Sequence, residues 1–541
     1  MSKVVLLYPQ NNSRLILVPP YPLMYLASAA RKAGREPLLL DARVDRRADK
    51  RLEALLSAGD VDCLGVSVGM NYQLATALLA SKVAKEYGVP VVWGGSFATF
   101  NAESFVRLPV VDAVFLGGAE LSFQRYLEGG LPRTPGVVFK QNGRVHADHS
   151  RPAYDLNEYF PPAWDLVDPA DYVRRYRDLH LMHVTTSRGC PHRCQFCYQP
   201  SMWRRKWSRL SVENVLAEVD LVRERCSVNA IYFFDDNFAV DKKRLLAIGE
   251  GLRARGVRWS SLVRANYLDG AFVRRLKELG CYKVCVGAES GSQRVLDSVN
   301  KDVRVADVLG AANVLGKHGL ASEFFFMVGF LGETAADRAK TFALIDEVER
   351  RAGAETFLRV AIPFTGTPYH ERAVAAGFQR PNDLVSLSEE KWDFRPPRLP
   401  WLTKRENAQI RRAVLSSMIR FVWQKSFKDL SLFKKFLYAV LAPLANLRWR
   451  VKFWGVPVDT GLYRTYVALK NRSKTKAAQR TAQRVKEALE AAKCARGQGT
   501  GEIAGEGTEK ASRDAPRATG PPVATAAAVG GVGTSGVEPR D

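Results

Sequence analysis

The hydrophobic residues form two series of short apolar runs, and most of these runs are followed by a segment with helical periodicity. In the first series, residues 1–150, the predicted helices are 23–33, 50–56 and 74–87, and the predicted strands are 4–8, 37–41, 63–68, 89–93 and 113–116. Strands that alternate with helices are typical of a parallel sheet covered on both faces. We therefore predict an α/β domain with a doubly wound parallel sheet.

The second series covers residues 181–375 and follows a Pro- and Asp-rich segment, 151–180, which we interpret as a linker. Its helical stretches include 211–225, 242–255 and 271–279, and its predicted strands are 183–187, 230–234, 259–263, 283–287, 323–328 and 357–362. Six strand–helix units predict a central partial (β/α)6 barrel. Residues at the carboxyl ends of barrel strands are the ones expected to meet a ligand.

Polar residues follow four consecutive strands of this predicted barrel. They are Asp235, Asp236 and Asn237, then Arg264 and Asn266, then Glu289, Ser290 and Ser292, and finally Gly329, Gly332 and Glu333. Asp236 or Ser290 could be no more than a helix cap. Four such strand ends in a row favour a ligand site at this edge of the barrel.

Beyond about residue 380 the alternation stops, and 376–470 is predicted to be a basic helical region. Between 401 and 470 there are 14 Lys or Arg and three Asp or Glu, so 14 − 3 = +11 of the formal +24 lies here, mixed with aromatic residues. This region is either an extra helical domain with a solvated basic face or a peripheral contact with an anionic membrane. No nucleic-acid module is recognisable, so nucleic acid is not expected. Residues 471–541 read as a helix candidate, 474–493, and a low-complexity, largely disordered tail.

Composition excludes several classes of protein. The eight cysteines among 541 residues are scattered, without the framework of a secreted disulfide scaffold. The N-terminus lacks the pattern of a signal peptide, and no run reaches the roughly 18 apolar residues of a spanning helix. We expect a cytoplasmic protein, with contact at the inner face of the membrane as a further option.

Three of the cysteines, Cys190, Cys194 and Cys197, lie close together in the run SRGCPHRCQFCYQP. Clusters of four irons normally take four cysteines, so three thiolates would leave one iron open to a ligand that is not protein. The alternative is a zinc site closed by His192. A second pair, Cys281 and Cys285, reads as small buried hydrophobic residues of the barrel rather than as metal ligands.

The spacing Cys-x-x-x-Cys-x-x-Cys, with the aromatic Phe196 before the last cysteine, resembles the radical SAM family. The resemblance implies a [4Fe-4S] cluster whose open iron binds S-adenosylmethionine (SAM), and an external electron donor such as a flavodoxin or ferredoxin. It also implies SAM contacts: Glu289 at the ribose, Phe196 and Tyr198 beside the adenine, and Asp235, Arg264 and Ser292 nearby.

Residues 1–150 resemble the cobalamin-binding domain that often precedes a radical SAM domain. The resemblance rests on PPYPLMYLASAARKAG at 19–34, on Ser67, and on the glycine pairs Gly94–Gly95 and Gly117–Gly118. These glycines would let a backbone approach the cofactor, although they could simply turn corners. The family motif Asp-x-His-x-x-Gly falls on Asp41, Arg43 and Arg46, so the histidine ligand to cobalt is missing. Either cobalamin binds without a protein imidazole, or the domain has lost it.

The resemblance as a whole implies a cobalamin-dependent radical SAM methyltransferase acting on an unactivated carbon of a small-molecule or lipid substrate. In that reaction a 5′-deoxyadenosyl radical removes a hydrogen atom and methylcobalamin delivers the methyl group. One alternative is a radical cyclisation, oxidation or rearrangement of a lipid or tetrapyrrole without methyl transfer. The other is a cluster-containing sensor that does not consume SAM.

Overall fold

The computed structural model describes residues 2–10, 17–176, 178–381, 384–389, 397–426 and 432–452, together with positions 483, 484 and 487. Two seven-stranded sheets organise this part of the chain.

The first sheet is parallel through five strands and ends in an antiparallel hairpin. Its strands are β1 (Lys3–Tyr8), β2 (Glu36–Asp41), β3 (Val61–Ser67), β4 (Val91–Gly94), β5 (Ala113–Phe115), β6 (Val137–Gln141) and β7 (Arg144–Ala147). They lie in the order β2-β1-β3-β4-β5-β6-β7. The accompanying helices are α1 (Tyr21–Lys32), α2 (Ala48–Ser57), α3 (Leu74–Glu86), α4 (Ser96–Phe100), α5 (Ala102–Phe105) and α6 (Glu120–Gly129). The predicted parallel α/β sheet is confirmed, and the hairpin β6–β7 is an addition to it.

The second sheet forms the partial barrel. Its strands are β8 (Arg174–Tyr176), β9 (Leu179–Val184), β12 (Ala230–Phe233), β13 (Arg258–Val263), β14 (Cys281–Glu289), β15 (Ala321–Val328) and β16 (Glu355–Val360). Two short strands, β10 (Ser187–Arg188) and β11 (Ser208–Arg209), form a separate antiparallel pair. The sheet order is β16-β15-β14-β13-β12-β9-β8, with six parallel strands and β8 antiparallel at the edge. The predicted six-stranded partial barrel is confirmed. Its first strand starts earlier than predicted and stops at Val184, three residues before Ser187.

Helices alternate with the strands of the barrel. They are α7 (Gln199–Trp203), α8 (Val212–Arg225), α9 (Lys242–Ala254), α10 (Gly270–Glu278), α11 (Gln293–Ser298), α12 (Val305–His318), α13 (Ala335–Ala352) and α14 (Pro368–Ala375). Five of them begin at a side chain that accepts a hydrogen bond from a backbone N–H three residues on, namely Ser211, Asp241, Asp269, Thr334 and Thr367. Asp236 and Ser290 cap none of these helices, which leaves their side chains for other roles.

The barrel sheet carries an aromatic cluster and a buried ion pair. Phe233 stacks on Phe238 with ring centroids 4.2 Å apart, and both rings lie against Trp259. Elsewhere on the sheet, near its amino edge, Lys283 Nζ lies 2.7 Å from Glu323 Oε2, and each side chain is only 10% exposed. Removing either partner would leave the other as an unpaired buried charge, which is costly.

Residues 151–180 pack between the first sheet's helices and the barrel. The ring of Trp164 meets Tyr21 of α1 edge-on at 5.8 Å, and its Nε1 donates to Glu218 Oε1 of α8 over 3.1 Å. Both Trp164 and Glu218 are buried. A carboxyl group is therefore enclosed where α1, this segment and α8 meet.

Glu218 is expected to make the stability of the protein depend on pH. Burial raises the pKa of its carboxyl group from 4.5 to about 7. The unfolded chain releases this proton near pH 4.5, whereas the folded chain releases it only near pH 7. The contribution of the protonated carboxyl group to the free energy of unfolding is therefore complete below pH 4.5 and is lost as the pH rises through 7. The loss is up to about 1.4 kcal/mol per pH unit across that window. Glu218→Gln should therefore raise the urea midpoint of unfolding at about pH 8 much more than at about pH 5.

A matched control for this prediction is Glu224→Gln, which changes an exposed carboxylate on the same helix. It should leave the pH dependence of the midpoint as in the unchanged protein. If Glu218→Gln also left the pH dependence of the midpoint unchanged, the Glu218 carboxyl group would not be the source of that dependence.

After the barrel the chain continues in helices α15 (Leu384–Glu389), α16 (Lys404–Ser426) and α17 (Leu432–Val451). Helix α16 packs on the last barrel strand: Phe421 lies 5.0 Å from Phe357, and Ser417 Oγ accepts a hydrogen bond from Leu358 N. Among the described residues no helix is both long and apolar enough to cross a membrane. The predicted helix 474–493 and the tail to residue 541 lie outside the described residues, apart from three isolated positions.

Candidate functional site

The three-cysteine loop follows β9 and β10 at the carboxyl edge of the barrel and leads into α7. Gly189, just before Cys190, has a φ of +83°, and a Cβ there would lie 2.2 Å from the backbone oxygen of Lys206. Only glycine fits this position. Cys197 N donates to Cys194 O over 3.2 Å, so the chain turns tightly within the cysteine motif.

Contacts from three other parts of the barrel hold this loop. Gln195 N donates to Val299 O over 2.9 Å, and Tyr369 N donates to Gln195 O over 3.1 Å. Arg264, at the end of β13, places Nη1 3.7 Å from Cys194 Sγ. Its Nη2 donates to the backbone oxygens of Lys301 and Asp302. Arg264 was predicted to contact SAM, and in the structure its hydrogen bonds tie the cysteine loop to the segment after α11.

The thiols in this loop are unpaired and partly or fully buried. Burial raises the pKa of the Cys197 thiol to about 12, and it also raises the pKa of Cys190. Within the described ranges no three His, Cys, Asp or Glu side chains lie close enough together to hold one metal ion. A structural zinc site takes four protein ligands, whereas a four-iron cluster bound by three cysteines keeps one iron open, so three thiolates in one loop fit a cluster.

His192, the alternative fourth zinc ligand, is engaged elsewhere. Its Nε2 lies 2.9 Å from the hydroxyl of Tyr267. Burial, together with the positive charge of Arg264, lowers the pKa of the ring to about 4, so the imidazole is neutral at physiological pH. This contact speaks against the zinc interpretation.

Two acidic residues after β12 also contact the loop region. Asp235 accepts hydrogen bonds from Thr186 N at 2.6 Å, and from Thr186 Oγ1 and Ser187 Oγ at 2.7 Å each. Asp236 accepts from Gln199 Nε2, and burial followed by the charge of Asp235 raises its pKa to about 7. Asp235, a predicted SAM contact, thus uses its oxygens to fix the strand that leads into the cysteine motif.

Glu289 ends β14 in the left-handed region, with a φ of +64°. Its Oε1 accepts a hydrogen bond from Lys301 Nζ at 2.7 Å, and both side chains are buried. A Cβ at Gly287 would lie 2.5 Å from that oxygen, so glycine makes room for the pair. A non-glycine residue at positive φ is strained, and such strain often marks a functional position.

The predicted adenine contact Phe196 lies beside this pair, and the predicted contact Ser292 does not join it. Lys301 Nζ is 5.8 Å from the ring centroid of Phe196, which in turn lies 5.9 Å from Phe330. Ser292 Oγ donates to Asp337 Oδ1 of α13 over 2.6 Å. Lys301 was not predicted from the sequence, because nothing there distinguishes it from any other lysine in a loop.

The glycine pairs of the first sheet lie at its carboxyl edge and are closely packed by the protein itself. A Cβ at Gly95, where φ is +98°, would lie 2.8 Å from the Val68 backbone, and one at Gly118 would lie 2.4 Å from the Tyr154 hydroxyl. At Gly117 it would lie 2.8 Å from Arg151, whereas at Gly94 the nearest atom is 3.9 Å away. Ser67 is buried. These contacts agree with corner-turning glycines and leave cofactor contact at these positions a prediction.

A cleft lies where this edge of the first sheet faces the barrel. It is open to solvent and is lined by Gly69, Met70, Asn71, Ser96, Phe97, Phe100, Tyr198, Phe364, Thr365 and Arg380. Tyr198, the residue after Cys197, has its ring 6.4 Å from that of Phe364. The cleft therefore joins the cysteine loop to the first sheet, and its aromatic walls come from segments that sequence reasoning did not connect.

Arg43 occupies the position of the missing histidine. Its guanidinium donates to both oxygens of Asp41, over 2.9 and 2.6 Å for Nε and Nη2, and it stacks on Tyr8 at 3.8 Å. Tyr172 OH also donates to Asp41. A charged guanidinium has no lone pair for cobalt, and residues 13–127 contain no histidine. Residues 13–127 therefore offer a bound cobalamin no protein imidazole as a ligand to cobalt.

Comparisons with known proteins agree with this arrangement. Residues 184–345 match the model of the radical SAM superfamily, and residues 13–127 match that of the B12 binding domain. The chain is 28% identical over 439 residues to an uncharacterized methyltransferase of Pyrococcus horikoshii, covering 78% of this chain and 93% of that protein. It is 23% identical to an anaerobic magnesium-protoporphyrin IX monomethyl ester cyclase of Rubrivivax gelatinosus, covering 76% and 74%.

The same fold occurs in a solved structure, that of the cobalamin-dependent S-adenosylmethionine radical enzyme OxsB with aqua-cobalamin and SAM bound. The TM-score is 0.67 at 16% identity, covering 92% of this chain and 81% of that one.

Proposed function

We propose that this chain, which is a radical SAM enzyme with an N-terminal B12-binding domain, transfers a methyl group from cobalamin to an unactivated carbon of a small-molecule or lipid substrate. The observation that carries the proposal is the cleft between the two domains, which is lined both by Tyr198, next to the cysteine motif, and by Phe97 and Phe100 of α4. A substrate there would meet both cofactors. The methyltransferase among the relatives supports methyl transfer in particular.

Each cofactor has candidate residues to hold it. Cys190, Cys194 and Cys197 would bind the [4Fe-4S] cluster, Glu289 and Phe196 would bind SAM, and the carboxyl edge of the first sheet would bind cobalamin. When bound, the cluster supplies the electron that splits SAM into a hydrogen-abstracting radical, and cobalamin supplies the methyl group.

The protein's own residues position the reactants and exclude water. The Glu289 carboxylate can accept hydrogen bonds from the ribose diol or pair with the ammonium of SAM, in exchange for its present contact with Lys301. Phe97, Phe100 and Phe364 give the cleft apolar walls, against which an apolar part of the substrate could pack.

Cobalamin bound to this chain is expected to lack a nitrogen ligand from the protein below cobalt, because Arg43 stands in the place of the histidine. The electron paramagnetic resonance spectrum of the loaded protein, with cobalt reduced to the Co(II) form, should show no splitting from an axial imidazole nitrogen. Histidines outside residues 13–127 can be replaced by glutamine one at a time. A three-line nitrogen splitting that persists in every such variant would come from the cofactor's own base and would agree with this expectation. A splitting that disappears in such a variant would contradict it.

The products of SAM turnover test the main proposal. The reduced, reconstituted protein with cobalamin and methyl-deuterated SAM should form 5′-deoxyadenosine, methionine and S-adenosylhomocysteine. Deoxyadenosine without the homocysteine product would instead favour a cyclisation, oxidation or rearrangement, for which the cyclase among the relatives is a precedent. No cleavage at all would favour a sensor.

The partners follow from the same chemistry. A flavodoxin or ferredoxin would supply the electron, and the reducing cytoplasm suits an oxygen-sensitive cluster. We also propose a peripheral location at the inner face of the membrane, supported by the excess of positive charge between residues 401 and 470.

A further inference from the structure

Helix α17 carries a stripe of exposed aliphatic side chains. The large hydrophobic residues that are highly exposed within the described part of the chain are Tyr87, Phe234, Val374, Val440, Leu444, Leu447 and Val451. The last four belong to α17 and are 45%, 39%, 59% and 60% exposed. Their spacings of four, three and four residues place them along one side of the helix. We call these four residues the α17 stripe.

The opposite side of the helix is already occupied. Tyr438, Leu441, Ala442 and Ala445 are buried in one cluster with Ile419 of α16. Near the end of the helix, Trp449 packs edge-on against Phe342 at 5.7 Å, and its Nε1 donates to Asp346 over 2.8 Å. The protein core therefore fixes α17 through one face and leaves the stripe outward. A helix that is apolar on two faces needs a second apolar environment.

The charged residues of α17 itself are all basic, and Lys452, just after the helix, pairs with Asp346 of α13 at 2.9 Å. Residues 432–452 contain five Lys or Arg and no Asp or Glu. Arg450 is exposed next to Val451, and Lys435 lies at the other end of the helix. An aliphatic stripe about 16 Å long, at 1.5 Å per residue, with basic residues at both ends, suits a surface that is apolar inside and anionic outside.

We propose that the α17 stripe inserts into the surface of an anionic phospholipid bilayer, with the basic residues at its ends contacting lipid phosphates. The inference rests on the peripheral location proposed above and is independent of methyl transfer. An anionic bilayer fits better than nucleic acid, because Val and Leu side chains contribute neither stacking nor base-edge hydrogen bonds. The helix would lie along the surface, since it is not apolar enough to cross.

Sedimentation with vesicles tests this proposal on the full chain without SAM or reductant, so that the outcome does not depend on turnover. The protein should sediment with vesicles of phosphatidylcholine containing about 30% phosphatidylglycerol, and much less with phosphatidylcholine alone. Binding should weaken in about 0.5 M salt, where the charges are screened. The double variant L444Q/L447Q should bind anionic vesicles at least about tenfold more weakly than the unchanged protein. Arg450→Gln should reduce the preference for anionic lipid.

The matched control is Val374→Gln, which changes a valine that is 50% exposed on α14. It should bind vesicles like the unchanged protein. Elution volume on size-exclusion chromatography and retained SAM cleavage would show that all variants are folded.

Three results would overturn the proposal. The first is that the full chain does not bind anionic vesicles, and the second is that L444Q/L447Q and Val374→Gln bind equally well. The third is that L444Q/L447Q converts a dimer to a monomer without changing vesicle binding, which would assign the stripe to a second copy of the chain.

Discussion

Replacing any one of Cys190, Cys194 or Cys197 with alanine is expected to abolish reductive cleavage of SAM. The cysteine loop offers three thiols, and a cluster bound by only two would expose a further iron to water and oxygen. Because the cofactor carries the chemistry, the rate of 5′-deoxyadenosine formation should fall by at least about 10³-fold. Iron and sulfide per chain, measured after anaerobic reconstitution, should fall in parallel.

A cysteine outside the loop provides the control. Cys226, at the end of α8, is partly buried and lies with its Sγ 3.3 Å from Val222 O. Cys226→Ala should keep its iron, its sulfide and its SAM cleavage. Zinc in anaerobically purified protein, or SAM cleavage that survives loss of all three loop cysteines, would contradict the assignment of the cluster.

The fold was largely predictable because its signals are local. Each parallel strand is a short apolar run, and the cysteine motif spans only eight residues. The hairpin β6–β7, which was not predicted, also has a local signal. Asn142 and Gly143 both have positive φ, at 50° and 78°, as a tight hairpin turn requires.

The candidate site was less predictable, because its contacts join residues that are distant in sequence. Lys301 reaches Glu289 only because the loop after α11 returns to the end of β14. The cleft brings together Phe97 of α4 and Phe364 of the loop after β16. A single sequence contains no signal for either encounter.

The partner of a side chain at a strand end also depends on residues that are distant in sequence. Asp235 and Ser292 both follow barrel strands, as the pattern predicts. Their hydrogen bonds nevertheless go to Thr186, just before β10, and to Asp337 of α13. The pattern places residues at the correct edge of the barrel, and the packing of neighbouring elements decides which of them remain available to a ligand.

Glu289→Gln is expected to weaken SAM binding while the cluster stays in place. The substitution keeps the shape of the side chain but removes the charge that strengthens hydrogen bonds to the ribose or to the ammonium of SAM. A hydrogen bond to a charged group contributes about 1.5–3 kcal/mol, which corresponds to an increase in Kd of about 10- to 100-fold. Equilibrium dialysis with the reconstituted protein measures the Kd, and iron content reports on the cluster.

The barrel contains a matched control in Glu323→Gln. Glu323 pairs with Lys283 at 2.7 Å, the same distance as between Glu289 and Lys301, and all four side chains are buried. Both substitutions therefore leave a buried lysine without its carboxylate and should cost similar stability. Glu323 lies near the amino end of β15 and Glu289 at the carboxyl end of β14, so only Glu289→Gln should raise the Kd for SAM. If the two variants bound SAM equally well, Glu289 would serve the ion pair alone.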